Sequence, residues 1–410
     1  MIDKIRNDEL VKGSFVLIMM IGIFNILNYI FQISMARMLG PVGFSILAVL
    51  MAFIYIFSIP SEAIQTVVSR YTSRYNVKKN YGKMKELLSK SMKKGVLFSS
   101  VLFVVFIPLS ILFSKALNID IFLLLITGMF LFYVFTIPVL RGLLQGTKKF
   151  SLLGTSFIVE GTFKVIISLV LVSMGLKVYG AIGGLLIAVI ISLITGFFMI
   201  KEVIGANREK DNFEGIYLTN LPTLIAVTAI VLMYSLDIIF ARIFFSPEIS
   251  GIYSFVSLIG KAVLFASLAI GKAMFPLSSE HFDSGRKTAH LLKKSLMIVG
   301  LISLIACLLF LIMPELIIKL ISLGSHQYLP ASNILLILGL TFSFISLANI
   351  VVTYKISINK IKSSAFVLLF FAILQVIAMI LFHATLLEFA LSLLISSIIM
   401  FLYSLFLLKK

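Results

Sequence analysis

Runs of about twenty apolar residues, separated by short polar segments rich in Lys and Arg, recur along the whole of this chain. At about 1.5 Å of rise per residue, one such run in helical form crosses about 30 Å of hydrocarbon. Lipid offers the backbone no hydrogen bonds, so only helices or a closed barrel can span it, and barrel strands need only about ten residues. The chain therefore reads as an all-α integral membrane protein. About twelve transmembrane helices are expected, at 13–35, 44–66, 95–114, 120–140, 152–174, 178–200, 217–240, 250–272, 294–313, 329–352, 363–383 and 386–408. Composition agrees: 60% of the 410 residues are hydrophobic and only 13% are charged, against about 25% charged in soluble domains. The first run is too long for a signal peptide and lacks a small-residue cleavage site, so it reads as a retained helix.

The cations orient the spans. With the N-terminus in the cytoplasm, 28 of the 35 Lys and Arg fall in cytoplasmic segments, most densely in 70–94. Arg37, Lys115, Lys177, Arg242 and Lys319 fall outside, and Lys164 and Lys261 fall within spans. This bias follows the positive-inside rule and places both termini in the cytoplasm, in a cell (plasma) membrane. The net charge of +18 is then a consequence of topology, and no nucleic acid is needed to explain it.

Catalytic signatures are missing. The single Cys307 lies in an apolar run, and His281, His290, His326 and His383 lack metal-ligand spacing. No Walker A, HExxH or GxSxG pattern occurs. External segments are short, with 314–328 the longest, which leaves no room for an external catalytic domain. No metal and no cofactor is expected, and the chain does not read as an enzyme.

The sequence repeats itself. The stretch 35–70 runs from a basic residue through a Pro/Gly turn (Pro41, Gly43) into an apolar span carrying Glu62; about 206 residues on, 236–276 repeats that layout with Pro247, Gly251 and Lys261. KELLSKSMKKGVLFSSVLFVVF (85–106) likewise parallels AHLLKKSLMIVGLISLIACLLF (289–310). The polar segment 201–215 divides the spans six and six. The expected organisation is an N-lobe over 1–206, a cytoplasmic linker over 207–216 and a C-lobe over 217–410. An even number of spans per half gives both the same orientation, a parallel repeat.

Ionisable residues at bilayer depth are costly and mark function or pairing. Glu160 and Lys164 lie four apart on one helix face, where an internal ion pair and a ligand role are both open. Arg37, Arg70 and Arg141 sit at span ends, where arginine reaches the headgroups. Asp237 has Arg242 nearby as a partner. Lys261 sits mid-span with no acid one turn away, and either lines a hydrated cavity or pairs with Glu62 or Asp237 from another helix. Asn25, Asn28 and Gln32 form a polar stripe that turns the first helix toward protein. Gly180 and Gly184 form a small-xxx-small pair suited to close helix packing.

Three segments, ARMLGPVGFSILA (36–48), LRGLLQGTKKFSLLG (140–154) and LDIIFARIFFSPEISGIYS (236–254), resemble the Wzx-type oligosaccharide flippases. These form the polysaccharide-export branch of the multidrug/oligosaccharidyl-lipid/polysaccharide (MOP) exporter superfamily, beside the MATE multidrug exporters and the lipid II flippases. The resemblance covers essentially the whole chain. It implies two six-helix lobes about a central cleft, and movement of a polyprenyl-pyrophosphate-linked oligosaccharide to the outer leaflet by alternating access. It gives cargo contacts to Lys261, Arg37, Arg70 and Lys164, the lipid tail remaining among membrane lipids. Many relatives have fourteen spans where this chain has about twelve, and the first helix lacks the acid often found in the multidrug branch. The competing reading is an H⁺- or Na⁺-coupled small-molecule exporter of the same architecture, with Glu62, Glu160 or Asp237 as coupling or charge-balancing groups.

Overall fold

A computed structural model describes residues 9–211, 221–361 and 364–408. Residues 212–216 of the expected linker lie outside the described residues. The chain is helical: α1 (Glu9–Phe57), α2 (Ser61–Val77), α3 (Tyr81–Leu117), α4 (Ile121–Gly128), α5 (Phe130–Gly146), α6 (Phe150–Leu171), α7 (Lys177–Met199), α8 (Lys201–Gly205), α9 (Leu221–Phe244), α10 (Pro247–Asp283), α11 (Ala289–Ile312), α12 (Pro314–Ile321), α13 (Leu335–Ser357), α14 (Ser364–Leu381) and α15 (Leu386–Leu407).

Among the described residues, 10 helical stretches are long and apolar enough to cross a membrane. Two of them each contain a pair of the twelve expected spans. In Met19–Val77 the break is at Gly40, whose φ of 65° and ψ of 178° interrupt the helix immediately before Pro41. In Phe150–Met199 it is the π turn Val172–Leu176, where Gly175 takes φ 91°. Both breaks use a glycine in the left-handed region that other residues avoid. The ten stretches thus accommodate the twelve spans.

Two compact units emerge: Met1–Leu39 with Phe57–Thr219, and Gly40–Ile56 with Asn220–Lys410. The segment Gly40–Ile56, expected in the first lobe, groups with the second unit. Its sequence explains this locally. Gly251 lies against Pro41 so closely that a Cβ there would sit 1.9 Å from the Pro41 carbonyl oxygen, and Phe44 meets the Phe255 ring edge-on at 6.0 Å. Arg242 donates to Ser45 Oγ at 2.8 Å. Two of the three segments that carried the family resemblance are therefore packed on each other.

The third segment is also a packing device. Gly142 and Gly146 of α5 let α2 come close: a Cβ would stand 2.8 Å from the Gln65 carbonyl oxygen at Gly142, and 2.5 Å from that of Ser69 at Gly146. Small residues four apart make the groove, and van der Waals contact holds helices together where lipid is no less apolar than leucine.

Each unit is built around one helix. In the stretches containing α5 and α13, 72% of the most apolar window is buried, whereas α3 and α11 bury only 17% and 28% of theirs. The least buried helices, α3, α11 and α14, are also the most hydropathic. That ordering is what lipid, rather than water, as outer solvent selects. The repeat is visible in the packing. Leu88, Ser91, Gly95, Ser99 and Phe106 are among the buried residues of α3, and Leu292, Ser295, Val299, Ser303 and Phe310, at one constant offset along the chain, are among those of α11. Phe106 closes on Gly128 as Phe310 closes on Gly339, where added Cβ atoms would lie 2.8 Å and 2.5 Å from the rings.

On the polar side of the first unit, the start of the expected linker is tied down. Arg208 pairs with the buried Glu86, which also holds Lys90 at 3.1 Å; Lys83 lies 3.3 Å from Asp211, and Glu209 N–H donates to the Gly82 carbonyl. Lys149 lies 2.7 Å from Glu202 and its ammonium holds that carboxyl below the usual range.

Candidate functional site

Among the described residues, Arg141, Glu160 and Lys164 in the first unit and Asp237 with Lys261 in the second place charge in the interior, beside the buried Glu86, Arg242 and Lys355. In the first unit, α6 carries Glu160 and Lys164 one turn apart, and the structure does not pair them with each other. Glu160 instead accepts from Arg141 of α5 at 2.6 Å and from the Tyr133 hydroxyl. The expectation that Arg141 reaches the headgroups is corrected here, since the residue is 7% exposed. Its guanidinium lies 3.8 Å from the centre of the Phe157 ring and its Nε donates to Ser156 Oγ at 3.2 Å. A planar cation that can stack and bond in a fork is suited to burial in a way that lysine is not.

Lys164 takes a different set of partners. It is 5% exposed, donates to Asn28 Oδ1, and its ammonium lies 5.0 Å and 5.7 Å from the ring centres of Phe31 and Phe24. Glycines bring these groups together. Gly154 and Gly161, two turns apart on α6, face Met20 and Leu27 of α1, where a Cβ would come within 2.1 Å and 2.9 Å of side-chain atoms. The polar stripe of the first helix thus turns inward at Asn28, while Asn25 is exposed.

In the second unit, Lys261 is 4% exposed and lies 2.9 Å and 3.0 Å from the two oxygens of Asp237, which is fully buried. Ser257 donates to Asp237 at 2.7 Å and Tyr253 at 3.3 Å, and the Lys261 ammonium stands 5.1 Å from the Phe342 ring centre. Of the two readings left open for Lys261, this is the ion pair. Arg242, the other candidate partner of Asp237, is instead bonded to Ser45. Tyr253, Ser257 and Lys261 follow one another at i, i+4 and i+8 on one face of α10. That spacing is the signal by which Tyr253 and Ser257 could have been read from sequence.

The remaining candidates are exposed. Glu62 is exposed in the first turn of α2, where a carboxylate complements the helix N-terminus. Arg37 and Arg70 are exposed on α1 and α2. Among the described residues, no group of three or more His, Cys, Asp or Glu could hold a metal ion.

Known proteins match this arrangement at the level of fold and family. The chain resembles the inward-facing structure of a multidrug resistance MATE family transporter of the MOP superfamily, with a TM-score of 0.75 at 12% identity, covering 94% of this chain and 96% of that one. The outward-facing structure of a transporter so described gives 0.64 at 13% identity, over 97% and 95%. A MATE in complex with MaD3S gives 0.67 at 13%, over 98% and 97%. Comparison with curated proteins by sequence finds no match. The profile of the family described as "Polysaccharide biosynthesis protein" matches residues 10–282, about two thirds of the chain and all three of the segments singled out above. The chain belongs to that polysaccharide biosynthesis family and has the all-helical, MATE-like fold of those structures.

Proposed function

We propose that this protein is a flippase that carries a polyprenyl-pyrophosphate-linked oligosaccharide from the cytoplasmic to the outer leaflet by alternating access. The family match over residues 10–282 carries the reading, because that family serves polysaccharide assembly and the chain has the fold of transporters. The distribution of cations supports a cytoplasmic location for both termini.

The interior charges favour this over cation-coupled export. Of the three acids offered for coupling, Glu160 and Asp237 are each engaged by an internal cation, and Glu62 is exposed in the first turn of α2. Lys164 has no carboxylate bonded to it among the described residues, so the positive charge left over on α6 suits an anionic cargo. Arg37 and Arg70 are the further cargo contacts proposed, and Lys261 would be free to bind an anion only by leaving Asp237. Deleting the gene in its own cell tests the reading: surface polysaccharide should fall and lipid-linked oligosaccharide should accumulate. Unchanged surface polysaccharide, with no accumulated precursor, would argue against it.

A further inference from the structure

We propose that residues 206–211 form a releasable ionic strap: seated on the α2–α3 turn and the start of α3, it holds the beginning of the linker to the first unit, and transport requires it to lift. The need to lift rests on alternating access, part of the reading above. The strap's contacts alternate in sign. Arg208 pairs with Glu86, and Lys83 lies 4.0 Å from Glu209 and 3.3 Å from Asp211. Lysines pin both ends through the backbone, Lys85 donating to the Ala206 carbonyl at 2.8 Å and Lys90 to that of Asp211 at 2.7 Å. Asn80 and Tyr75 donate to the carboxylates of Glu209 and Asp211 at 2.8 Å and 3.1 Å. Matched opposite charges fix the register of strap on helix.

Two features mark a seat for this segment rather than a surface that is merely basic. Gly82 lies in the first turn of α3 and is not in the left-handed region, yet a Cβ there would stand 2.6 Å from the Asn207 carbonyl oxygen and 3.1 Å from the Glu209 Cβ. At the offset that relates Leu88 to Leu292, the second half keeps Lys287 and Lys294 but has Arg286 and His290 where the first has Gly82 and Glu86. Topology accounts for lysines in both halves. The glycine and the acid occur only in the half that the strap follows.

The seat is also built to be left. The side chains of Arg208 and Glu209 are 46% and 53% exposed, and exposed ion pairs hold weakly one by one. Glu86 is buried, but Lys90 lies 3.1 Å from it one turn along α3, so the departure of Arg208 leaves the carboxylate paired. Lifting the strap returns residues 206–211 to the chain between α8 and α9, about 20 Å of extra reach. Carriers that work by alternating access move one bundle against another, and the connecting chain has to allow it.

The test follows hydrogen exchange in the purified full chain, chiefly at Glu209, whose N–H donates to the Gly82 carbonyl at 3.3 Å. Gly82→Ala alters no charge and favours helix at its position, so α3 should stay intact while exchange over 206–211 rises at least tenfold. Raising salt from about 50 mM to about 500 mM should do the same in the wild type. Wild-type protection in Gly82→Ala would overturn the seat, and protection indifferent to salt would overturn its ionic character. Release is tested by joining Asn80→Cys and Glu209→Cys with a bis-methanethiosulfonate bridge, Cys307 being buried. Movement of lipid-linked oligosaccharide in liposomes should fall at least tenfold on bridging and return on reduction. A bridged protein that works at the unbridged rate would overturn the need to lift. Exchange that responds to Gly82→Ala and to salt, in a protein that moves no oligosaccharide bridged or unbridged, would support the seat while defeating the flippase reading and with it the need to lift.

Discussion

Lys261 on α10 and Asp237 on α9 meet at 2.9 Å with both side chains almost wholly enclosed, and Ser257 and Tyr253 complete the acceptor shell of the carboxylate. Removing one partner of such a pair strands the other charge. Lys261→Ala is therefore expected to cost about 3–5 kcal/mol and lower the yield of folded protein. Joint replacement, Asp237→Asn with Lys261→Met, should restore most of it. Thermal unfolding of the four proteins in the cycle measures this, and additive losses would show that the pair is not coupled.

Close packing in the α6–α7 hairpin rests on particular glycines. A Cβ at Gly184 would fall 2.5 Å from Ser168 Oγ and 2.6 Å from its backbone nitrogen, whereas Gly183, one residue earlier, has nothing within 4 Å. Gly184→Val should destabilise by about 1–3 kcal/mol or more. Gly183→Ala should be neutral or stabilising by up to about 1 kcal/mol. Comparing monodisperse yield after heating separates the two, and equal effects would contradict the packing described.

The density of cations at 70–94 and in the later polar segments carries the proposed orientation. Reporter fusions after Lys78, Lys148, Arg208, Arg286 and Lys360 should all read cytoplasmic. An external signal at any two of these would reject the orientation.

Much of the fold could be read from hydropathy, because lipid imposes length and composition on each span. The parallel between 85–106 and 289–310 reappears as matching buried residues on α3 and α11. The Gly180/Gly184 spacing proves to be a helix contact: a Cβ at Gly180 would meet the Leu171 backbone at 2.8 Å. Charge pairing was less legible. The spacing of Glu160 and Lys164 left a local pair and a ligand role open, and the partner found for Glu160 is Arg141, brought in by the packing of α5 against α6. For Lys261 the sequence left a hydrated cavity and a pair with Glu62 or Asp237 both open, because its acid lies on the preceding helix, beyond any one-turn rule. Nor did span-counting show that Gly40–Ile56 would pack with the second unit, since that depends on a backbone approach between Pro41 and Gly251.

The most direct measurement places the purified protein in liposomes with a lipid-linked oligosaccharide in both leaflets, and follows the fraction open to an enzyme added outside that cleaves the sugar. A flippase should let that fraction rise from about one half toward completion, and Lys164→Ala should slow the rise at least tenfold. A fraction that stays near one half with folded wild-type protein would contradict the account.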